Sequence, residues 1–374
     1  MKTSTARAVR FVAAMAGIMA AAVFGDRATA DLVTYQMVTV GDAGNAADSA
    51  TGNLYGAVAY EYQIGKYDVT IGQYAAFLNA VAKTDNYGLY RAEMASDLNI
   101  AGIARSGASG AYVYTVMNNG GNSANRPINY VSWFDAARFV NWMSNGQPTG
   151  GQTGATTENG IYALNGAIAG TAPARNATNP NTSTVPGYWI PTENEWYKAA
   201  YYDPSLNSGT GGYWTYATRS NSIPGATVGG TANQANFFLE STGPTDHRTN
   251  SASYSANQNY LSDVGAFTGS ASAYGTFDQN GDVWQWNDLD GTPGNLRGSR
   301  GGSWNNGASY MASSFRFTLN AQNDFYVVTG FRLGGPVAST PVPEIDPAGL
   351  GSVLALVGGA IGLVERRRRG TTRI

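Results

Sequence analysis

Three segments of the chain begin with a residue that can cap a helix and continue with apolar residues at helical spacing. Each starts with a hydroxyl residue followed three positions later by a carboxyl or amide residue: Thr70 with Gln73, Ser132 with Asp135, and Thr192 with Glu195. Such pairs satisfy the amide donors left open at a helix start, and an N-cap contributes on the order of 1 kcal/mol without any further partner. This favours capping over a catalytic acid and base pair, and the pattern predicts three short amphipathic helices.

The segments around these helices carry few charges and many turn-forming residues. Residues 31–54 are polar and rich in Gly, Asn and Ala, which predicts a strand and a loop that lead into the domain. Residues 144–187 form a low-charge stretch of Gly, Thr, Asn and Pro, which we expect to be a surface insertion. Residues 239–262 have a similar composition.

Aromatic residues become frequent towards the end of the chain, in stretches such as "SAYGTFDQNGDVWQWND" and "RGGSWNN". Here three tryptophans occur near three arginines, which suggests stacked indoles and guanidiniums; these residues are Trp284, Trp286, Trp304, Arg300, Arg316 and Arg332. The region could be the floor of a binding site. A packed core is favoured for the tryptophans, because large aromatic side chains are mostly buried.

Composition and charge exclude several classes of function. The 374 residues are 43% hydrophobic and 13% charged, with 48 glycines, which predicts a globular but turn-rich protein. The whole chain has a net charge of −2, and residues 31–342 contain 14 basic and 21 acidic residues, a net charge of −7. An acidic body argues against nucleic acid as a partner.

Two residue types that often carry chemistry are scarce. The chain has no cysteine, which excludes disulfides, thiolate metal sites, iron–sulfur clusters and cysteine nucleophiles. Its one histidine, His247, lies in the polar stretch "PTDHRTN" and has no G-x-S-x-G motif to accompany it. We therefore expect His247 in a surface loop, and a metal site built from several histidines of this chain is excluded.

The first 30 residues have the order of a secretory signal peptide. Lys2, Arg7 and Arg10 precede an apolar run over 11–24, and small residues before Ala30 predict cleavage after that position. An uncleaved membrane anchor is the alternative, although the apolar run is short for a membrane span. The sequence predicts an exported protein.

The C-terminal segment resembles a sorting signal. A linker over 335–346 contains Pro343-Glu344, and 347–369 combine an apolar run with a cluster from Arg366 to Arg369. This order resembles the PEP-CTERM signal, which implies processing by an exosortase-type membrane protease and delivery to the cell surface or extracellular matrix. A permanent single-pass transmembrane anchor is the alternative, because hydropathy supports both interpretations.

Seven ordered blocks across residues 55–334 resemble the formylglycine-generating enzyme family, also called sulfatase-modifying factor domains. They are "YQIGKYDVTIGQYAAFLN", "RPINYVSWFDAARFVNWM", "YWIPTENEWYKAAYY", "ANFF", "VGAFTGSASAYGTFDQNGDVWQWND", "RGGSWNN" and "GFRL". The resemblance implies a single α+β domain of C-type-lectin-like topology with much irregular structure.

The resemblance also implies what the chain lacks. Catalytic members carry two cysteines after the Gly-Gly-Ser-aromatic turn, and these bind copper and drive oxygen-dependent oxidation of a substrate cysteine. In this sequence the two positions are Asn306 and Met311, neither of which can form a thiolate. Related iron-dependent sulfoxide synthases use several histidines, which this chain does not have. We therefore expect neither copper nor iron, and no oxidase activity.

Calcium is the cofactor that the resemblance favours, as a structural ion. Family members use the "AN-aromatic" block, which corresponds here to the Asn236 side chain and the Phe237 carbonyl. A second site would take the Asp278 carboxylate with the carbonyls of Gly281 and Val283. An ordinary Asx turn at Asp278 is the alternative.

Two hypotheses of function follow. The favoured one is an exported binding or structural module at the cell surface or in the matrix, with a saccharide or protein ligand and without oxidase activity. The alternative is an enzyme, either of the formylglycine-generating type or a hydrolase or transferase that uses carboxylates. The candidate residues for the latter are Glu193, Glu195 and Asp282 with Arg300.

Overall fold

The computed structural model describes residues 32–177, 179–183, 187–238, 254–322 and 328–337. The described residues from Val33 onward form one compact unit. Its regular helices are α1 (Ile71–Val81), α2 (Glu93–Ser96), α3 (Trp133–Ser144) and α4 (Glu193–Tyr201), and a distorted helical turn spans Leu206–Gly209. Its strands are β1 (Met37–Val40), β2 (Tyr62–Gly65), β3 (Ile103–Ser106), β4 (Val113–Val116), β5 (Tyr202–Asp203), β6 (Gly212–Tyr213), β7 (Trp284–Asn287), β8 (Leu296–Arg300), β9 (Phe317–Asn320), β10 (Thr329–Gly330) and β11 (Gly334–Gly335).

The strands form several small sheets. In the first, β1 and β11 pair antiparallel with the two edges of β2. The second has the order β10-β7-β8-β9, in which β10 runs parallel to β7 and the other pairs are antiparallel. Strands β3 with β4 and β5 with β6 make two further antiparallel pairs. The predicted α+β single domain with much irregular structure is confirmed.

All three predicted helix starts carry the predicted capping box. Thr70, Ser132 and Thr192 are the N-caps of α1, α3 and α4, and each accepts a hydrogen bond from the amide three residues later. In each case the side chain at that third position also accepts from the N-cap amide. The lead-in also matches its prediction, because it contains β1 followed by an irregular loop.

An aromatic cluster forms the centre of the main core between α1 and α3. The ring centroid of Phe139 lies 5.3 Å from that of Phe77, 5.4 Å from that of Phe331 and 5.7 Å from that of Trp142. Their mutual tilts match the edge-to-face geometry that aromatic pairs prefer. The final block "GFRL" therefore packs directly against the helices that the capping patterns predicted.

Buried arginines are the second stabilising feature of the domain. Six of the described arginines are at most 8% exposed, and five of these each lie 2.8 to 3.1 Å from a carboxylate. The pairs are Arg138 with Glu158, Arg175 with Glu195, Arg297 with Asp288, Arg300 with Glu193, and Arg332 with Asp68. Removing one partner of such a pair leaves an uncompensated buried charge, which is strongly destabilising.

The described residues of 144–187 are mostly exposed or partly exposed, as expected of a surface insertion, but the expectation is wrong for the part around 156–164, which enters the core. Ile161, Tyr162 and Leu164 belong to the main core and are at most 2% exposed. Glu158 holds the buried Arg138 from the same segment. The segment therefore combines an exposed surface with a few buried anchoring residues.

Several sequence predictions concern residues outside the described ranges. These are the signal peptide over 1–30, the loop around His247, and most of the linker and sorting signal over 335–369. Among the described helices, none has the length and apolar character that a membrane crossing requires.

Candidate functional site

Asn306 lies in the turn between β8 and β9, where hydrogen bonds to its side-chain amide hold it in place. Its Oδ1 accepts hydrogen bonds from the Trp284 indole (2.8 Å) and from the Ser303 hydroxyl (2.6 Å). Its backbone carbonyl accepts from the Phe238 amide (2.9 Å). Both lone pairs of the side-chain oxygen are therefore engaged.

Met311 is enclosed in the protein at 0% exposure. It packs in a small cluster with Tyr216 and Phe237. Its carbonyl accepts from the Tyr201 hydroxyl (3.0 Å) and from Asn280 Nδ2 (2.8 Å). This position is part of the core and does not present a reactive group to solvent.

Copper does not fit these two residues. Copper(I) favours soft ligands and the family chemistry needs thiolates, whereas Asn306 offers a neutral amide whose oxygen is already engaged. The thioether of Met311 carries no charge and belongs to a buried side chain.

An exposed aromatic surface surrounds the Trp284 indole that binds Asn306. Its ring centroid lies 6.2 Å from that of Tyr310, 5.9 Å from that of Phe315 and 6.0 Å from that of Phe317. Tyr310 and Phe317 are 38% and 39% exposed. The place of the family's reactive turn is thus occupied here by aromatic rings and a fixed amide.

The expected stacking of Arg300 on an indole is wrong. Its guanidinium lies over the rings of Tyr55 (4.7 Å) and Tyr197 (4.9 Å). The physical reason is its ion pair with Glu193, the first residue of α4, which holds the guanidinium beside these tyrosines. Trp286 and Trp304 are core residues, as the packing interpretation predicted.

Glu193, a candidate catalytic carboxylate, is held between two arginines. Its Oε1 lies 2.8 Å from both Nε and Nη2 of Arg300. The Nε of Arg316 lies 2.9 Å from each of the two carboxylate oxygens. Guanidinium donors therefore occupy the oxygen atoms that a general base would need.

Glu195 is similarly engaged. It is 0% exposed and accepts from the Thr192 amide (2.7 Å), from the Trp189 indole (3.1 Å) and from Arg175 Nη1 (3.0 Å to each oxygen). This carboxylate caps a helix and neutralises an arginine. Its arrangement is structural, and it gives no support to a carboxylate-based hydrolase site.

The first set of calcium candidates lies in the interior. Asn236 and Phe237 are 2% and 0% exposed. Asn236 Nδ2 donates to the Tyr260 carbonyl (2.8 Å) and to Asp282 Oδ1 (3.0 Å). Asp282 Oδ2 accepts from the Ser262 hydroxyl (2.5 Å). Several oxygen atoms thus gather around one amide, and Asp282, proposed as a catalytic residue, belongs to this group.

The second set adjoins the first. Asn236 and Gly281 form an isolated β-bridge, and a Cβ at Gly281 would lie 2.1 Å from the Asn236 carbonyl oxygen. Val283 is fully buried. Asp278 Oδ2 accepts from the Gly265 amide (2.6 Å), thirteen residues away, and so makes a long-range contact that an Asx turn would not provide.

Three buried carboxyl groups interact with one another around these candidates. Burial raises the pKa of Asp278 to about 6 and that of Asp68 to about 8, and it raises the pKa of Asp282 well above its usual value. Arg332 Nη2 contacts Asp68 at 3.1 Å. Oxygen atoms are the ligands that calcium prefers, and a bound cation would favour the ionised form of these carboxyl groups. The described residues hold no group of three His, Cys, Asp or Glu suited to a metal, so amide and backbone oxygens would have to contribute.

A separate cleft of about 500 Å³ lies between the start of α4 and the loop that joins β7 to β8. Asn194, Asn295 and Arg316 are among its lining residues. This cleft is not predicted by the sequence, because the loop "LDGTPGNL" has the composition of an ordinary turn. The one indication in the sequence is that several polar side chains occur together in this loop between two strands, and binding residues are often found on such loops.

Comparison with known proteins gives one family and several distant structures. The model of the sulfatase-modifying factor enzyme 1-like domain matches residues 35–334. Treponema denticola variable protein 1 is 17% identical with a TM-score of 0.42, covering 82% of this chain and 96% of its own. The crystal structure of CarF gives 18% identity and a TM-score of 0.42, covering 81% of this chain and 99% of its own. PvdO from Pseudomonas aeruginosa gives 17% identity and a TM-score of 0.39, covering 80% and 94%.

A search of curated proteins found no significant match. The family match spans most of the chain and contains all seven sequence blocks. The chain belongs to the family of the sulfatase-modifying factor enzyme 1-like domain.

Proposed function

We propose that this protein is an exported binding or structural module that keeps the family scaffold and lacks the oxidase reaction. It acts at the cell surface or in the extracellular matrix, where an exosortase-type protease delivers it after recognising the C-terminal signal. Its ligand is an extracellular saccharide or protein. Nucleic acid is not a partner, because the body of the chain is acidic.

The observation that carries this proposal concerns Asn306 and Met311, which stand where catalytic members of the family have cysteines. Asn306 is fixed by hydrogen bonds, and Met311 is a core residue. No thiolate can form at either position, so the step that needs a copper thiolate has no ligand in this chain. The exposed aromatic surface at the same place supports binding, because aromatic rings with an adjacent amide suit contact with saccharides and proteins.

Incubation with a cysteine-containing sulfatase peptide, copper and oxygen is expected to yield no formylglycine. Mass spectrometry of the peptide measures the product, and a catalytic member of the family with both cysteines serves as the positive control. Aldehyde formation by this protein above the level without enzyme would contradict the proposal.

Export is tested on the protein isolated from the envelope fraction of its native cells. Mapping its terminal peptides from the native envelope fraction should find an N-terminus after Ala30 and loss of the segment that contains Arg366–Arg369. Intact termini on both sides would show that neither signal is processed.

We also propose that calcium is a structural ion of this domain, held by Asn236 and Phe237 and by Asp278, Gly281 and Val283. Adding calcium to 100-fold above its dissociation constant should stabilise the protein by about 2.7 kcal/mol over the chelated form. Thermal unfolding with a chelator, with excess calcium and with excess magnesium measures the effect. Magnesium should substitute poorly, because it demands a stricter geometry.

The variant Asp278→Asn should lose most of the calcium-dependent shift, whereas Asp290→Asn, on an exposed loop, should retain it. Identical melting temperatures with calcium and with chelator would contradict the site.

A further inference from the structure

The cleft beside α4 presents more hydrogen-bond donors than acceptors. Arg316 uses its Nε on Glu193, and its two terminal nitrogens have no hydrogen-bond acceptor among the described residues. Asn194 Oδ1 accepts from the Gly56 amide (2.9 Å), and Asn295 Oδ1 accepts from the Thr171 hydroxyl (2.8 Å). The amide nitrogens of both asparagines donate to no described group.

The base of the cleft offers one guanidinium to an anionic group, although the Asp290 carboxylate at the rim offsets its charge over the whole cleft. Glu193 is shared by Arg300 and Arg316, so these three groups together carry one net positive charge. Arg297, which also lines the cleft, is balanced by its ion pair with Asp288. The guanidinium that remains available is that of Arg316, whose side chain is 36% exposed. A guanidinium binds a carboxylate through two parallel hydrogen bonds.

The rim adds one acceptor and aliphatic walls. Asp290 Oδ1 accepts from the amide and hydroxyl of Thr292, which leaves Oδ2 without a donor among the described residues. Leu54 and Leu296 are 66% and 47% exposed and line the cleft. Sugar rings combine hydroxyl groups, which both donate and accept, with apolar faces of C–H groups. This mixture of amide donors, a carboxylate acceptor and aliphatic walls matches such a ligand better than it matches an acidic peptide.

We propose that this cleft binds an acidic oligosaccharide that contains uronate residues. The Arg316 guanidinium holds a uronate carboxylate, while Asn194, Asn295 and Asp290 bind ring hydroxyls. The volume of about 500 Å³ lies within the usual range for small-ligand sites. This inference rests on the proposed binding function and assigns its ligand class and its site.

Calorimetric titration of the full-length protein in detergent with a galacturonate hexamer tests the site, with the fully methyl-esterified hexamer as the neutral control. The acidic hexamer should bind at least about tenfold more tightly, because charge-assisted hydrogen bonds are the stronger ones. The Arg316→Gln variant should lose about tenfold in affinity. The Arg219→Gln variant removes an exposed arginine that does not line the cleft and should bind like wild type.

Because Arg316 also contacts Glu193, a second pair of variants tests the cleft without disturbing that contact. Leu296→Glu adds a carboxylate at the exposed rim and should weaken binding by about tenfold or more. Leu296→Gln is similar in size but neutral: it removes the same aliphatic contact without adding a like charge, so it should weaken binding at least about threefold less than Leu296→Glu does.

No binding of the acidic hexamer, equal binding of both hexamers, or equal loss in the two Leu296 variants would each overturn the proposal. Tighter binding of a glutamate-rich peptide would overturn the saccharide assignment. None of these results bears on oxidase activity. The formylglycine assay tests that part of the proposed function separately.

Discussion

Alkaline conditions are expected to unfold this domain near pH 11. Burial raises the pKa above the ordinary value of 10.0 in five tyrosines that are each at most 1% exposed; they are Tyr62, Tyr74, Tyr162, Tyr197 and Tyr201. Below pH 10 these hydroxyls are protonated in both states and do not affect stability. Above pH 10 the unfolded chain loses protons that the folded state keeps, so stability falls as the pH rises.

The loss at about pH 11 amounts to roughly 1.4 kcal/mol for each tyrosine, or about 7 kcal/mol for the five, which is comparable to the total stability of a typical domain. Tryptophan fluorescence follows unfolding, and phenolate absorbance follows ionisation. The two transitions should coincide for the buried tyrosines.

Two variants make this test specific. Tyr74→Phe removes a buried hydroxyl that donates to the Leu89 carbonyl, and it should reduce the alkaline loss by about 1.4 kcal/mol at one unit above pH 10. Tyr310→Phe removes a hydroxyl from a side chain that is 38% exposed and should leave the alkaline loss nearly unchanged. Complete phenolate formation in a protein that is still folded would show that burial does not keep the tyrosine hydroxyls protonated.

Replacing Glu195 with glutamine should cost about 3 to 5 kcal/mol of unfolding free energy. The change removes the negative charge opposite the buried Arg175 and weakens the cap of α4. The amide also places a donor where the carboxylate accepted bonds from Thr192 and Trp189. Urea unfolding of the variant and of wild type measures the difference.

Glu93→Gln is the matched control, because Glu93 is an exposed residue in the first turn of α2. It should change stability by no more than about 0.5 kcal/mol. A double-mutant cycle adds Arg175→Met, which removes the unpaired charge, so part of the loss should be recovered when both partners are absent. Equal stability of the Glu195 and Glu93 variants would contradict the role of the buried pair.

The features that sequence predicted well are local or belong to the family pattern. A capping box involves residues three positions apart, so the starts of α1, α3 and α4 could be identified directly. The seven ordered blocks identified the family and with it the α+β fold, which the family match confirms.

The features that sequence missed depend on partners far apart in the chain. Residues 144–187 contain only two charged residues, Glu158 and Arg175, and both are buried in ion pairs. Two isolated charges in an otherwise uncharged stretch indicate burial of those two residues, whereas the composition of the stretch as a whole predicts a surface insertion. Their partners, Arg138 and Glu195, lie 20 residues away in opposite directions. Which residues pair across such distances is decided by the topology of the whole domain.

The sheet β1-β2-β11 joins the beginning of the described domain to its end, since the first and last of the described strands flank β2. This sheet cannot be completed until residue 335 has left the ribosome. Contacts between such distant residues also make folding slow, because the chain must first close a long loop. The domain therefore reaches its final tertiary structure only after Gly334 and Gly335 have been synthesised and have paired with β2.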